Sequence, residues 1–155
     1  MLISSGPTRE PIDPVRFISN YSTGTMGARL AEEALARGHR VTVVSGPSAV
    51  PLPSGALVIA VERTQEMERA LRQHRRHADV IIMAAAVSDF RVARPASGKL
   101  SRQARLDLKL TATRDILARL PRREKQLVVG FALATHRPVS EARRKLRDKR
   151  LDLLL

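Results

Sequence analysis

The 155 residues include no cysteine and no tryptophan. The first absence excludes disulfides, zinc–thiolate sites and a cysteine nucleophile from this chain, and it fits the cytoplasm, the expected location. Aromatic residues make up 3% of the chain, three Phe and one Tyr. Platforms that stack single-stranded nucleic acid need exposed rings, so a nucleic-acid partner is not expected. No apolar run approaches the ~20 residues of a membrane span. The start, MLISSGPTREP, has no basic segment followed by a long apolar one, so neither a signal peptide nor membrane association is expected. The four histidines, His39, His74, His77 and His136, show no metal-ligand spacing.

The chain does carry charge, and its distribution is uneven. Residues 1–90 hold 10 Lys+Arg against 9 Asp+Glu, while residues 91–155 hold 18 against 6. The formal net charge of +13 therefore belongs almost wholly to the C-terminal part. Such a field attracts polyanions, nucleotides or phosphorylated metabolites; it is equally the mark of a solvated arginine-rich surface. The length and the 43% hydrophobic content suit one domain over residues 1–155.

Strand and helix patterns alternate. MLISS, RVTVVSG, ALVIAV, DVIIMAAAVSDF, QLVVGFALAT and LDLLL read as strands, and LDLKL as a short one. Helices are expected over about 23–37, with Met26, Leu30, Ala31, Ala34 and Leu35 on one face, and over TQEMERALRQHRRH, TRDILARLP and PVSEARRKLRDKR. In the last of these, Val139, Ala142 and Leu146 share a face. GPTREPIDPVRF, with three prolines, is expected to be irregular. The alternation predicts an α/β open sheet, mostly parallel, with ligands bound beyond the carboxyl ends of its strands.

Four segments at those ends could carry chemistry. STGTMG, Ser22 to Gly27, begins a helix, where unpaired N–H groups and small residues suit either a phosphate or a plain capped start. Ser-Gly-Pro occurs at residues 5–7 and again at 45–47, which ordinary turn chemistry explains. In AAAVSDF, Ala84, Ala85 and Ala86 leave room for a flat ring. Asp89 there could hold Mg²⁺ beside a phosphate, cap a turn or pair with Arg91. Gly98 and Lys99 lie in a basic stretch that reads as a flap closing on a triphosphate or as a solvated loop. No G-x-G-x-x-G follows the first strand, which argues against a dinucleotide oxidoreductase.

ISSGPTREPIDPVRFISNYSTGTMG, VTVVSGP, IIMAAAVSDFR, GKL, RDILARL and VVGFALAT, taken in this order, resemble phosphopantothenate–cysteine ligase. This is the synthetase domain of the bacterial coenzyme A biosynthesis flavoprotein. The resemblance runs from residue 2 to the last residue. It implies a Rossmann-like three-layer sheet of about six strands with helices on both faces, and a homodimer. It implies that 4′-phosphopantothenate is activated by CTP, or ATP, as an acyl-nucleotidylate and then joined to cysteine, with Mg²⁺ as cofactor. Carried over by motif, Asn20 binds the acyl-nucleotidylate and assists the cysteine step. Ser22, Thr23 and Gly24 match the phosphate-contacting helix start. Asp89 matches the acid near nucleotide and metal, and Ala85 and Ala86 the backbone that reads the base. Phe131 matches the ring beside the base, and Lys99 the first lysine of the family's K-x-K-K flap, in which Arg102 keeps a charge. The sequence departs from that pattern at Ser101 in the flap, at Thr25 where lysine is frequent, and at Ala134 where the family has glutamate. It is expected to lack the family's C-terminal strands, and no flavin domain or flavin is expected in it; a separate decarboxylase flavoprotein is one candidate partner, which the sequence does not decide. The alternative reading is a non-catalytic nucleotide- or polyanion-binding relative, prompted by the basic cluster Arg143, Arg144, Lys145, Arg147, Lys149 and Arg150.

Overall fold

The computed structural model describes residues 1–102, 104–133 and 138–155. In chain order the elements are β1 (Leu2–Ser5), β2 (Arg9–Asp13), β3 (Arg16–Ser19), α1 (Thr25–Ala36), β4 (Thr42–Ser45), β5 (Leu57–Ala60) and α2 (Thr64–His74). They continue with β6 (Val80–Met83), β7 (Phe90–Val92), β8 (Leu110–Ala112), α3 (Ile116–Arg119), β9 (Leu127–Gly130), α4 (Pro138–Asp148) and β10 (Leu153–Leu154). Six strands form one sheet in the order β10-β9-β6-β1-β4-β5, and every neighbouring pair is parallel. This is the expected α/β, Rossmann-like sheet.

The central strands are apolar runs because both of their faces are covered. Leu2, Val44, Ile81, Met83 and Val128 pack with Met67 and Leu71 of α2 and Ile116 of α3. Ile3, Val43 and Ile82, the alternate positions, pack with Ala31 and Ala34 of α1 on the other face. Helices thus lie on both sides, which makes three layers.

Four local expectations change. GPTREPIDPVRF is not irregular: β2 and β3 form an antiparallel hairpin with a bulge between Pro11 and Asp13. Each strand of such a ribbon has a free edge, so its prolines break no ladder. LDLKL contributes only its last residue to β8, which pairs with β7. The buried side of α1 is Gly27, Ala28, Ala31 and Ala34, while Met26 is 53% exposed. A Cβ on Gly27 would lie 2.3 Å from Ser5 Oγ, so only glycine lets α1 come this close to β1. The apolar face of α4 is not buried: Val139 is 63% exposed and Leu146 36%. This helix packs beside the two-residue edge strand β10, which covers little of it.

Candidate active site

β1 and β6 are neighbours at the centre of the sheet. From β1 the chain moves to β4 and β5 on one side; from β6 it moves to β9 and β10 on the other. The crevice beyond the carboxyl ends at such a switch point is where open α/β sheets bind ligands. Here the two strand ends stay paired after the sheet stops. The Ala86 N–H donates to the Gly6 carbonyl (2.9 Å), and the Thr8 N–H to the Ala86 carbonyl (3.2 Å). The Ala85 N–H donates to Ser4 Oγ (3.1 Å). Ala84, Ala85 and Ala86 remain half-buried, so a ligand can reach them.

Asn20 follows β3 and lies against this pair. Its Nδ2 donates to the carbonyls of Ala86 (3.0 Å) and Val87 (3.2 Å). Two carbonyls accept only donors, so the amide nitrogen must face them and Oδ1 points the other way. The Ser22 N–H then donates to the Asn20 carbonyl (2.8 Å), which turns the chain into α1. Gly24 starts that helix at φ +83°, a left-handed conformation that favours glycine. A Cβ there would lie 3.5 Å from Gly6 Cα, so α1 begins at the end of β1. The helix has no side-chain cap and no acid in its first turn. The Thr25 N–H reaches Thr23 Oγ1 at 3.4 Å, and no acid offsets the positive dipole end of the helix. Thr23 is exposed; its Oγ1 lies 2.8 Å from Thr25 Oγ1, and its carbonyl accepts from the Ala49 N–H (2.9 Å).

The two Ser-Gly-Pro turns interlock. Ser5 and Ser45 are in register, and the Gly46 N–H donates to the Ser5 carbonyl (2.9 Å). A Cβ on Gly46 would lie 1.8 Å from the Pro7 carbonyl oxygen. Turn chemistry alone explains each Ser-Gly-Pro but not their contact. Their duplication was the available signal that two turns lie side by side.

Phe131, just after β9, is half-buried against the core cluster that includes Ile82. Asp89 is exposed, and its carboxylate forms no ion pair among the described residues, so the pairing with Arg91 is not formed. Its backbone is held: the Asp89 carbonyl accepts from the Thr113 N–H (2.8 Å), and the preceding Ser88 N–H donates to Thr8 Oγ1 (2.9 Å). Among the described residues no group of three His, Asp or Glu could hold a metal by itself. The reading of Ala134, and His136, lie outside the described residues.

Among the described residues no hydrogen bond joins Lys99 or Arg102 to Asn20. Both are exposed. Leu100, between them, is tied to the turn of the β2–β3 hairpin: its N–H donates to Asp13 Oδ2 (3.1 Å), and Arg16 donates to its carbonyl (2.6 Å). That turn is four residues from Asn20, about 13 Å along an extended strand. Asp13, which sequence reasoning missed, has a fully buried side chain. Burial pushes its pKa up, but the Val15 N–H, the Arg16 guanidinium and the N–H groups of Leu100 and Arg16 outweigh this and hold it at about 2. The Asp-Pro pair in PIDPVR was the signal for it. A separate cavity of about 330 Å³ opens between the start of α2 and the β7–β8 ribbon, beside Glu10, Thr64, Arg91 and Arg114.

A parallel six-stranded sheet with helices on both faces and a crevice at its switch point, between the start of α1 and the small residues after β6, defines a Rossmann-like α/β domain. The sequence profile of the DNA/pantothenate metabolism flavoprotein C-terminal domain matches residues 1–155, and the chain belongs to that family. It is 43% identical over 159 residues to a Cysteine/Cysteine sulfinic acid decarboxylase from an unknown prokaryotic organism, covering 100% of this chain and 44% of that protein. It is 40% identical over 160 residues to the Coenzyme A biosynthesis bifunctional protein CoaBC of Escherichia coli (strain K12), covering 99% of this chain and 39% of that protein. The crystal structure of the C-terminal domain of a Coenzyme A biosynthesis bifunctional protein CoaBC superposes with a TM-score of 0.86 at 40% identity, over 99% of this chain and 74% of that one. The chain thus spans about two fifths of the length of the curated relatives it matches.

Proposed function

We propose that this chain performs phosphopantothenate–cysteine ligation in coenzyme A biosynthesis. The observation that carries the reading is Asn20, held on the carbonyls of Ala86 and Val87 so that two motifs meet at the switch point. In the first step a carboxylate oxygen of 4′-phosphopantothenate attacks the α-phosphorus of CTP. The new P–O bond gives an acyl-cytidylate, and pyrophosphate leaves. In the second, the amine of cysteine attacks the acyl carbon, loses a proton and expels CMP as the amide forms.

The residues divide this work by chemistry. The α1 start, with Ser22, Thr23 and Gly24, holds phosphate through N–H and hydroxyl donors. Ala85 and Ala86 present backbone to the base, and Phe131 lies beside it. Asn20 Oδ1, the free end of the amide, accepts a hydrogen bond from the incoming amine and orients it. Asp89 fits a single-carboxylate site for Mg²⁺, an ion that completes its shell with substrate phosphates and waters. When bound, that ion would neutralise charge on the triphosphate. Lys99 and Arg102 add positive charge for the leaving pyrophosphate.

A homodimer in the cytoplasm, working with a separate decarboxylase flavoprotein, belongs to the same reading. Val15, Phe17, Phe90 and Leu110 are large, exposed and apolar on the two ribbons, as expected of a surface that a second copy covers.

The test is to incubate the chain with 4′-phosphopantothenate, Mg²⁺ and either CTP or ATP, and to measure pyrophosphate, then CMP or AMP after cysteine is added. Release with CTP supports the reading, and release with ATP alone moves the nucleotide assignment. CTP binding without pyrophosphate favours the second reading, a non-catalytic nucleotide- or polyanion-binding relative. That reading draws on the exposed cations Arg143, Arg144, Arg147 and Arg150.

A further inference from the structure

We propose that Asp13 is a positioning residue that fixes where Lys99 stands, by mooring Leu100 to the turn of the β2–β3 hairpin. An aspartate that merely closes a turn needs one oxygen. Asp13 Oδ1 does that, accepting from the N–H groups of Val15 and Arg16 (2.9 Å each). Oδ2 is left over, and it reaches out of the hairpin. It accepts from Arg16 Nε (2.9 Å) and from the Leu100 N–H, 87 residues away (3.1 Å). The same guanidinium donates to the Leu100 carbonyl (2.6 Å), so both backbone groups of Leu100 are gripped. A second mooring lies four residues earlier, where the Ala96 N–H donates to the Ile12 carbonyl (2.9 Å).

Between the moorings, residues 97–99 are exposed, and a Cβ on Gly98 would meet nothing within 4 Å. Lys99 has no hydrogen bond or ion pair of its own among the described residues. Its backbone is one residue from a clamped one, so its place is set by Asp13 and not by its own contacts. The charge-assisted bonds are strong for their number because they are made by a carboxylate shut away from water. The segment then presents a lysine from a fixed root, and only the four-carbon stem sweeps.

The activity arm of the test rests on the ligase reading; the digestion arm does not. Full-length wild type and Asp13→Asn are digested briefly with trypsin, and cleavage of the Lys99–Leu100 bond is followed by mass spectrometry. Losing the mooring should speed that cleavage roughly 10-fold, with cleavage after exposed Arg37 unchanged. Pyrophosphate release should fall roughly 10-fold in Asp13→Asn, and by less than about 2-fold when Asp13→Asn is added to Lys99→Gln. Unchanged cleavage at Lys99, or losses that multiply in the double variant, would overturn the proposal. If Asp13→Asn does not fold, Arg16→Gln, which leaves Oδ1 closing the turn, takes its place with the same readouts. A wild type that releases no pyrophosphate removes the ligase reading, and the digestion still decides the mooring.

Discussion

Gly46→Ala would place a methyl group where no space exists. The added Cβ would lie 1.8 Å from the Pro7 carbonyl oxygen, against a practical minimum near 3.0 Å. The two Ser-Gly-Pro turns must therefore part by about 1.2 Å, and both neighbours in the clash are backbone, which cannot rotate away. Overpacking of this kind costs about 1–3 kcal/mol, and a backbone clash belongs at the upper end. For a chain of this size each kcal/mol lowers Tm by about 2–4 °C, so a loss of about 6–12 °C is expected. Gly38→Ala is the comparator. It sits at φ +79° with nothing within 4 Å, so it carries conformational strain without a clash. That strain is worth about 1–2 kcal/mol. The parted turns also shift Gly6, whose carbonyl receives the Ala86 N–H. A displacement near 1 Å at a reacting centre costs about 100-fold in rate. Calorimetric melting of both variants, with pyrophosphate release measured well below Tm, checks the reasoning. If Gly46→Ala melts within about 1 °C of wild type, or less than Gly38→Ala shifts, the interlocked turns do not constrain the crevice.

Asn20→Asp sets a carboxylate against two carbonyl oxygens; cysteine-dependent CMP release should fall about 100-fold while pyrophosphate release persists, and equal loss of both steps would show that Asn20 acts earlier. Leu71→Ala removes a fully buried side chain from the core beside α2 and should cost about 2–5 kcal/mol in urea unfolding; a loss below about 1 kcal/mol would mean that the site collapses freely. Asp13 is held at about 2, below its ordinary 3.8, so its contribution to stability is complete above 3.8 and fades as pH falls toward 2. The gap in urea midpoint between wild type and Asp13→Asn should therefore shrink between pH 5 and pH 2, and a constant gap contradicts the assignment. Phe17→Asp, on the exposed ribbon face, should shift sedimentation from dimer to monomer, and a monomeric wild type removes the dimer from the proposal.

The sheet was legible because its strands are buried on both faces, and VTVVS or VIIM can hardly be anything else. The ribbons were not, because proline was weighed as a ladder breaker and a two-stranded hairpin leaves it free edges. Helix periodicity found α1 but turned it slightly, since Gly27 has no hydropathy and yet makes the closest approach to β1. Asn20 was legible as a residue type before a helix, but its orientation was not. Only the facing carbonyls of Ala86 and Val87, 66 and 67 residues away, decide which end of the amide is free. The link from Asp13 to Leu100 spans 87 residues and leaves no periodic trace in the sequence.

One hairpin sets both ends of the proposed machinery. Its open end carries Asn20 and is pinned to the sheet, with Ser19 Oγ donating to the Thr8 carbonyl (2.8 Å) and the Arg9 N–H to the Glu62 carbonyl (2.8 Å). Its turn carries Asp13 and, through Leu100, Lys99. Four extended residues, about 13 Å of strand, separate the two ends of the hairpin. A small anion seated on the α1 start lies at the open end of the hairpin, away from its turn. A ligand that feels both must be extended, as a nucleoside triphosphate joined to a phosphorylated acid is, or the two groups must serve crevices of different copies. Inorganic phosphate binding should accordingly be indifferent to Lys99→Gln, while release of pyrophosphate from the full substrate should not be.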